Sequence, residues 1–313
     1  MATFETSLKS RLIYVFAISD EWHKDCLKVG ETTLEEDDGN FPLPNSEVLN
    51  KAACDRIDQY TKTAGIAYTL LHTEMTVFFK GGTISSFNDK QVHSVLERSG
   101  VKKKTFDTVK GANEWFCCDL ETVKKAIHAV KNGQNSLNAS DISHTQTPII
   151  FRPEQQAAID KTKKQFKKGS QMLWNAKMRF GKTLCALRVA RDLDMRRTII
   201  LTHRPVVDEG WFEDFGKIFY DRTDYHYGSR TKGEDFDSLE RLAKKGGKYV
   251  YFASMQDMRG AQLVGGKFDK NNEVFSTEWD FLIVDEAHEG TRTELGEAVI
   301  KELTKVNTKV LKL

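Results

Sequence analysis

Ala176-Lys-Met-Arg-Phe-Gly-Lys-Thr183 follows a short apolar segment, Met172-Leu-Trp-Asn175, and leads into a stretch of helical spacing from Lys182. A strand that enters a tight loop and then a helix aims backbone N–H groups, and the positive end of a helix dipole, at phosphate. With this spacing the loop Ala176, Lys177, Met178, Arg179, Phe180 and Gly181 forms the cradle. Lys182 then reaches the β- and γ-phosphates of ATP, and the Thr183 hydroxyl ligates Mg²⁺. Ala176 stands where the usual loop has Gly. Further along, Phe281-Leu-Ile-Val-Asp-Glu-Ala-His288 is an apolar run delivering two acids at its end. There Asp285 would hold Mg²⁺, and Glu286 would orient and deprotonate the attacking water. The first half carries a looser set. Tyr14 and Lys28 lie on two short apolar segments, Arg56 and Tyr60 are spaced i, i+4, Asp89 and His93 likewise, and Glu114 opens Glu-Trp-Phe116. Singly these have ordinary explanations: a wet strand hydroxyl, an exposed helix charge, an N-cap.

The elements needed to position these groups are legible in outline. Leu12–Ala17 and Leu27–Gly30 read as strands, Glu47–Tyr60 as a helix, Ala67–Phe79 as β-rich, and Asp89–Arg98 and Leu120–Val130 as helices. That order suggests a small α/β or α+β domain. Residues 132–147 are polar, small and nearly uncharged, which predicts a linker. Beyond it come helix Pro153–Phe166, strand Met172–Asn175, helix Lys182–Leu193, and strands Thr198–Leu201, Lys248–Phe252 and Phe281–Val284. Near-continuous apolar strands alternating with helices predict a parallel sheet covered on both faces. The expected fold class is therefore α/β, with domains at 1–131 and 148–313.

Composition agrees with two ordinary globular domains: 313 residues, 39% hydrophobic and 29% charged. No long apolar run predicts a membrane span, the N-terminus lacks a secretory leader, and five cysteines without C-x-x-C spacing fit a reducing, cytoplasmic setting. Cys117 and Cys118 are expected to be buried. The net charge of +2 hides a split. Residues 1–150 carry 17 Lys+Arg against 20 Asp+Glu, a net −3, and 151–313 carry 30 against 25, a net +5.

Residues 150–313 resemble the first RecA-like motor domain of superfamily 2 helicases and translocases, nearest the type I and type III restriction-subunit branch. Arg152-Pro-Glu-Gln155 is similar to that family's adenine-reading element, with Gln155 the implied base contact and Gln156 the alternative. Ala176–Thr183 is similar to motif I, with Arg179 at a place usually held by Gly. Leu201-Thr-His-Arg-Pro205 and Phe252-Ala-Ser-Met-Gln256 resemble motifs Ia and Ib. The resemblance implies phosphate contacts to DNA from Thr202, Arg204, Ser254 and Gln256, holding the strand without reading its sequence. Asp285–His288 is the D-E-A-H of motif II. Val306–Leu313 resembles the strand that runs into motif III, so the resemblance implies a motor interrupted before its second RecA-like domain, with weak ATPase activity.

Residues 10–131 resemble the GIY-YIG endonuclease domain. The resemblance gives Tyr14 a water-activating or nucleophile-positioning role, Arg56 the charge on the scissile phosphate, Tyr60 a supporting role, and Asp89 the single divalent metal. Glu114 is the alternative acid, and Trp115 and Phe116 are core. Lys28 replaces the family's second Tyr, leaving Gly30 of that triplet. Lys28 could serve as base or phosphate anchor only if its position or pKa were tuned. The combined expectation is a restriction-type enzyme with ATP and Mg²⁺ as cofactors and DNA, duplex more than RNA, as partner. A methyltransferase or specificity subunit is a further partner, and no membrane is expected. The rival is a DNA-remodelling or sensing motor with a binding-only front domain.

Overall fold

The computed structural model describes residues 10–34, 41–106, 114–138, 141, 149–177, 179–203, 205–285 and 294–313. The chain divides into two compact units, Met1–Leu137 and Asn138–Leu313.

The first unit is built on an antiparallel sheet. Its elements are β1 (Arg11–Ile18), β2 (Leu27–Thr33), α1 (Glu47–Thr61), β3 (Tyr68–Met75), β4 (Val77–Lys80), β5 (Thr83–Ser86), α2 (Asp89–Arg98), β6 (Trp115–Phe116) and α3 (Leu120–Asn132). The sheet order is β3-β1-β2-β6. Side chains alternate along β1. Leu12, Tyr14 and Phe16 share a core with Leu49, Ala53 and Ile57, the i, i+4, i+8 stripe of α1. Ile13 and Val15, fully buried, point to the opposite face. On that side α2 is tied to β2 by the buried His93, whose Nε2 lies 2.8 Å from the Val29 carbonyl oxygen. The β-rich stretch expected over 67–79 resolves into β3 plus a separate hairpin. In that hairpin Gly81 and Gly82 take φ of 58° and 81°, the left-handed pair that a two-residue turn of right-twisted strands requires.

The second unit contains α4 (Pro153–Phe166), β7 (Gln171–Leu173), α5 (Lys182–Asp192), β8 (Arg197–Thr202), α6 (Asp208–Phe219), β9 (Tyr225–Gly228), α7 (Phe236–Lys244), β10 (Lys248–Ser254), α8 (Met255–Arg259), α9 (Asn272–Ser276), β11 (Phe281–Val284), α10 (Glu294–Leu303) and β12 (Lys309–Lys312). Six of these strands form one sheet, β7-β12-β11-β8-β10-β9, with every pairing parallel. Ile200 and Ile283 join Ile159, Val189 and Phe215 of α4, α5 and α6 on one face. Ile199, Leu282 and Val284 join Leu239 of α7 and Val299 and Leu303 of α10 on the other. Double-sided burial is the reason the strands read as unbroken apolar runs rather than alternating ones. The expected α/β class, with a parallel sheet and helices on both faces, holds. No described helix is long and apolar enough to cross a membrane.

All six strands run the same way, so their C-terminal ends share one edge. That edge carries the ends of β7, β8, β10 and β11, the strands bearing the chemistry-rich segments. It is the edge at which ligands bind in open parallel sheets. Truncating the fully buried Ile283 of β11 to Ala should lower the unfolding free energy of this unit by about 2–5 kcal/mol, measured by denaturant titration.

Candidate functional site

The loop between β7 and α5 is held from α4. Phe180 presents its carbonyl to two donors: the Gln155 Nε2 amide at 2.7 Å and the Arg152 guanidinium at 2.9 Å. The Gln155 Oε1 accepts the Arg152 backbone N–H at 2.8 Å, closing the N-terminus of α4. Trp174, at the loop's start, donates its indole N–H to Thr162 of α4 at 2.8 Å. Gly181 has φ of 83°, which favours glycine, and a Cβ there would lie 2.7 Å from Gln155 Nε2 and displace the amide that holds the loop. The Gly181 position supplies no side-chain cap to α5. Among the described residues no side chain is seen to cap the first N–H groups of this helix, which leaves them, with the helix dipole behind them, to an external anion. Lys182 and Thr183, half-buried, open that helix. Beside the loop is a cleft of about 660 Å³ whose lining includes Arg152, Lys161, Asn175, Lys177 and Arg179. An open helix N-terminus, a loop that a Cβ would fill and several cations fit a nucleoside polyphosphate.

Asp285 follows β11 directly, its N–H donating to the Leu201 carbonyl at 2.9 Å, and β12 alone separates β11 from β7. Thr183 and Asp285 are thus set on one sheet edge. Three expected site residues, Met178, Arg204 and Glu286, lie outside the described residues, as do Ala287 and His288. The expected base contact, Gln155, instead has both ends of its amide engaged inside the protein, so its observed work is to hold the loop. Gln156 donates its amide to Asp160 at 3.2 Å.

Along the same edge, the positions expected to face DNA separate into two kinds. Thr202 ends β8 and is buried. Ser254 is buried as the N-cap of α8, its hydroxyl donating to the Asp257 carboxylate at 2.8 Å and accepting that residue's N–H at 3.1 Å. Gln256, the second residue of α8, is exposed. This corrects the expectation for the Ser254 hydroxyl, which is committed to capping. A segment not singled out in the sequence lies beside these, Ser229-Arg-Thr-Lys232 after β9. Asp208, buried in the first turn of α6, accepts hydroxyls from Tyr227 at 2.7 Å, Ser229 at 2.6 Å and Thr231 at 2.7 Å, which fixes this loop. The negative charge and burial together raise the Tyr227 pKa well above the ordinary phenol value. Arg230 is exposed and pairs with Asp257 at 3.2 Å. The hydropathy pattern missed this loop because β9, Tyr-His-Tyr-Gly, contains no aliphatic residue.

In the first unit a polar cluster gathers at Tyr14. Tyr14 and Gly30 are cross-strand partners, and a Cβ on Gly30 would fall 2.7 Å from the Tyr14 hydroxyl oxygen. The glycine thus makes room for the ring across β2. The Tyr14 and Tyr60 hydroxyls are 3.5 Å apart. Lys28 lies over the Tyr60 ring, 4.9 Å from its centroid, and pairs with Glu114 at 3.0 Å. Arg56 sits beside both phenols and donates to Gln59 at 2.8 Å. Burial raises the pKa of Tyr14 and, reinforced by its phenolic neighbour, raises that of Tyr60 further; Arg56 opposes both. Near neutral pH the phenols are therefore hydrogen-bond donors rather than phenolates.

The structure brings together Tyr14, Lys28, Arg56, Tyr60 and Glu114, and it places Asp89 elsewhere. Asp89 opens α2, on the face of the sheet opposite α1, with its backbone N–H donating to Glu31 at 3.3 Å. The expectation that Asp89 supplies the acid of this cluster is corrected: α1 and α2 cover different faces, and Glu114 is the carboxylate that reaches Lys28. Among the described residues no three His, Cys, Asp or Glu side chains gather closely enough to hold a metal. Trp115 and Phe116 are buried as expected. Cys117 is exposed and Cys118 half-buried, against the expectation that both are buried. Cys117 follows the two-residue β6 just where the strand ends.

The model of the type III restriction enzyme res subunit family matches residues 148–313. The chain belongs to that family. A Mycoplasma pneumoniae protein carrying the name of a type II restriction enzyme and methyltransferase, RM.MpnORF110P C-terminus, is 28% identical over 162 residues. The match takes in 49% of this chain and 22% of that relative, so the res-family chain spans about a fifth of its relative's length. Among solved structures, the Sulfolobus solfataricus SWI2/SNF2 ATPase core in complex with dsDNA is 14% identical with a TM-score of 0.39, over 55% of this chain and 33% of that one. A nuclease-deletion mutant of the type ISP restriction-modification enzyme LlaGI, in complex with a DNA substrate mimic, is 17% identical with a TM-score of 0.34, over 53% and 17%. The UvsW helicase of bacteriophage T4 is 13% identical with a TM-score of 0.36, over 62% and 69%.

The Tyr14–Gly30 packing is directly testable. Gly30→Ala should destabilise the first unit by about 1–3 kcal/mol, because the methyl must displace the Tyr14 ring. Urea denaturation reads this, and unchanged stability would mean that the ring lies elsewhere.

Proposed function

We propose that residues 148–313 are an ATP-hydrolysing lobe of a restriction-type motor acting on duplex DNA. The observation that carries this reading is the open N-terminus of α5 behind a glycine-closed loop, with Asp285 on the same sheet edge in a chain of the res family. Lys182 would bind the β- and γ-phosphates. Thr183 and Asp285 would hold Mg²⁺, which would neutralise charge on the phosphates. Glu286 would orient and deprotonate the attacking water, with Ala176, Lys177, Met178, Phe180 and Gly181 supplying the cradle's backbone. Arg152 and Gln155 keep that cradle in shape from α4. Gln256 and Arg204, with the neighbouring backbone at Thr202 and Ser254, would contact DNA phosphates, which positions a strand without reading its sequence. The methyltransferase in the relative's name supports such an enzyme as a partner, and cytoplasmic action follows from that role.

In the same reading, residues 1–131 are a GIY-YIG-like nuclease module joined by the segment 132–147. Tyr14 would position the nucleophile, with Tyr60 supporting it and Arg56 stabilising charge on the scissile phosphate. Lys28 would anchor phosphate, and Glu114, rather than Asp89, would provide the carboxylate for a divalent ion. One observation favours a second reading, a module that binds DNA without cutting it: the Lys28–Glu114 pair satisfies the cluster's carboxylate internally.

Lys182→Ala should weaken ATP binding by about 10- to 100-fold in calorimetric titration, the loss of a charge-assisted contact. Retained affinity would refute the loop assignment. For the first unit, Mg²⁺-dependent nicking of supercoiled plasmid by the 313-residue chain should fall about 100-fold or more in Tyr14→Phe and in Glu114→Gln, and remain in Asp89→Ala. A parent chain that leaves plasmid intact across metals and pH supports the binding-only module.

A further inference from the structure

Arg179 occupies the loop position at which the resembling family carries Gly, and it does so with φ of 63°. The left-handed region is costly for a side chain with a Cβ, and non-glycine residues held there concentrate where strain serves a function. Here the neighbouring constraints impose it. Phe180 is fixed through its carbonyl to Gln155 and Arg152, and Gly181, also left-handed, leads directly into α5. Glycine, or asparagine, is the residue this backbone prefers.

What arginine adds is its guanidinium. Arg179 is exposed on the lining of the 660 Å³ cleft, with Arg152 and Lys177. It makes no hydrogen bond or ion pair with any described residue, whereas Arg152 is engaged with Glu154 and Phe180. A cation with no partner among the described residues, on a backbone conformation that disfavours it and beside the N-terminus of α5, gains its complement from an anion bound at that terminus. The fork of donors matches a phosphate bidentately.

We propose that Arg179 is a nucleotide-contacting residue: its guanidinium binds the polyphosphate of the nucleoside triphosphate, supplying from within the loop a charged contact that glycine could not make. This rests on the nucleotide-lobe reading above. It makes position 179 a place where backbone comfort is given up for affinity, so stability and binding must move in opposite directions on substitution.

The test uses the full 313-residue chain and four variants, Arg179→Gly, Arg179→Asn, Arg179→Lys and Lys182→Ala, with ATP, ADP and AMP affinities from calorimetry and melting temperatures without nucleotide. Arg179→Gly and Arg179→Asn should melt at or above the parent temperature yet bind ATP about 10-fold or more weakly, with AMP affinity little changed. Arg179→Lys keeps a charge but not the fork, so it should fall between, and it should melt no higher than the parent. ATP affinity unchanged in both Arg179→Gly and Arg179→Asn, with Lys182→Ala impaired, overturns this inference and leaves the lobe assignment standing. A lowered melting temperature in Arg179→Gly assigns the arginine a structural role and also overturns it. If Lys182→Ala binds like the parent, or the parent binds no nucleotide, the lobe assignment and this inference fall together.

Discussion

The Phe180 carbonyl accepts hydrogen bonds from Gln155 and Arg152, and through this one acceptor the start of α4 and the loop before α5 become a single rigid corner. The Trp174 indole, bonded to Thr162, ties the start of the loop to the same helix. Gly181, left-handed, comes so near Gln155 that a Cβ would displace the amide holding the loop, and α5 begins at Lys182 without a side-chain cap from that residue. A helix terminus left open in this way is a standing demand for an anion. The sheet supplies the rest. Burial on both faces holds β11 in the sheet, β7 pairs with β12 at its margin, and their common direction carries Asp285 to the edge where that terminus lies.

The first unit depends on a similar close approach, between a ring and a backbone. Gly30 opens a space across β2, Tyr14 fills it, and the phenol is thereby delivered to Tyr60 and the cations of Lys28 and Arg56. Burial that keeps both phenols protonated also makes them donors toward an anion. In each unit a glycine is needed because of what lies against its backbone, not because of a turn.

The chemistry was most legible where it is local. The spacing from Ala176 to Thr183 encodes a strand, loop and helix in contiguous residues, and the unbroken apolar run before Asp285 marks a strand buried on both faces. Legibility failed where tertiary position decides. In the sequence Asp89 is the expected acid and Glu114 the alternative; the structure brings Glu114 to Lys28 and seats α2 against Glu31 and Phe116. The Gln155 amide could not be assigned to Phe180, a partner 25 residues away, from periodicity. Ser254 looked available because its acceptor role toward the Asp257 N–H is a feature of a five-residue helix too short to show a pattern. The loop 229–232 was missed with β9, whose aromatic and polar residues resemble neither a buried nor an alternating strand.

The place of β12 in the sheet bears on how this lobe is made. It lies between β7 and β11, with Lys309 bonded to Gly169 across 140 residues of chain. Among the described strands, β7, which leads into the phosphate loop, pairs with β12 alone, a strand synthesised far later. Loops of that span close late, and parallel pairings at such separation are slow and expose unpaired edges while they wait. A nascent lobe lacking β12 could bury much of α5 and α6 while β7 still has no described partner in the sheet. The pairing that seats β7 in the sheet is therefore among the late events of folding.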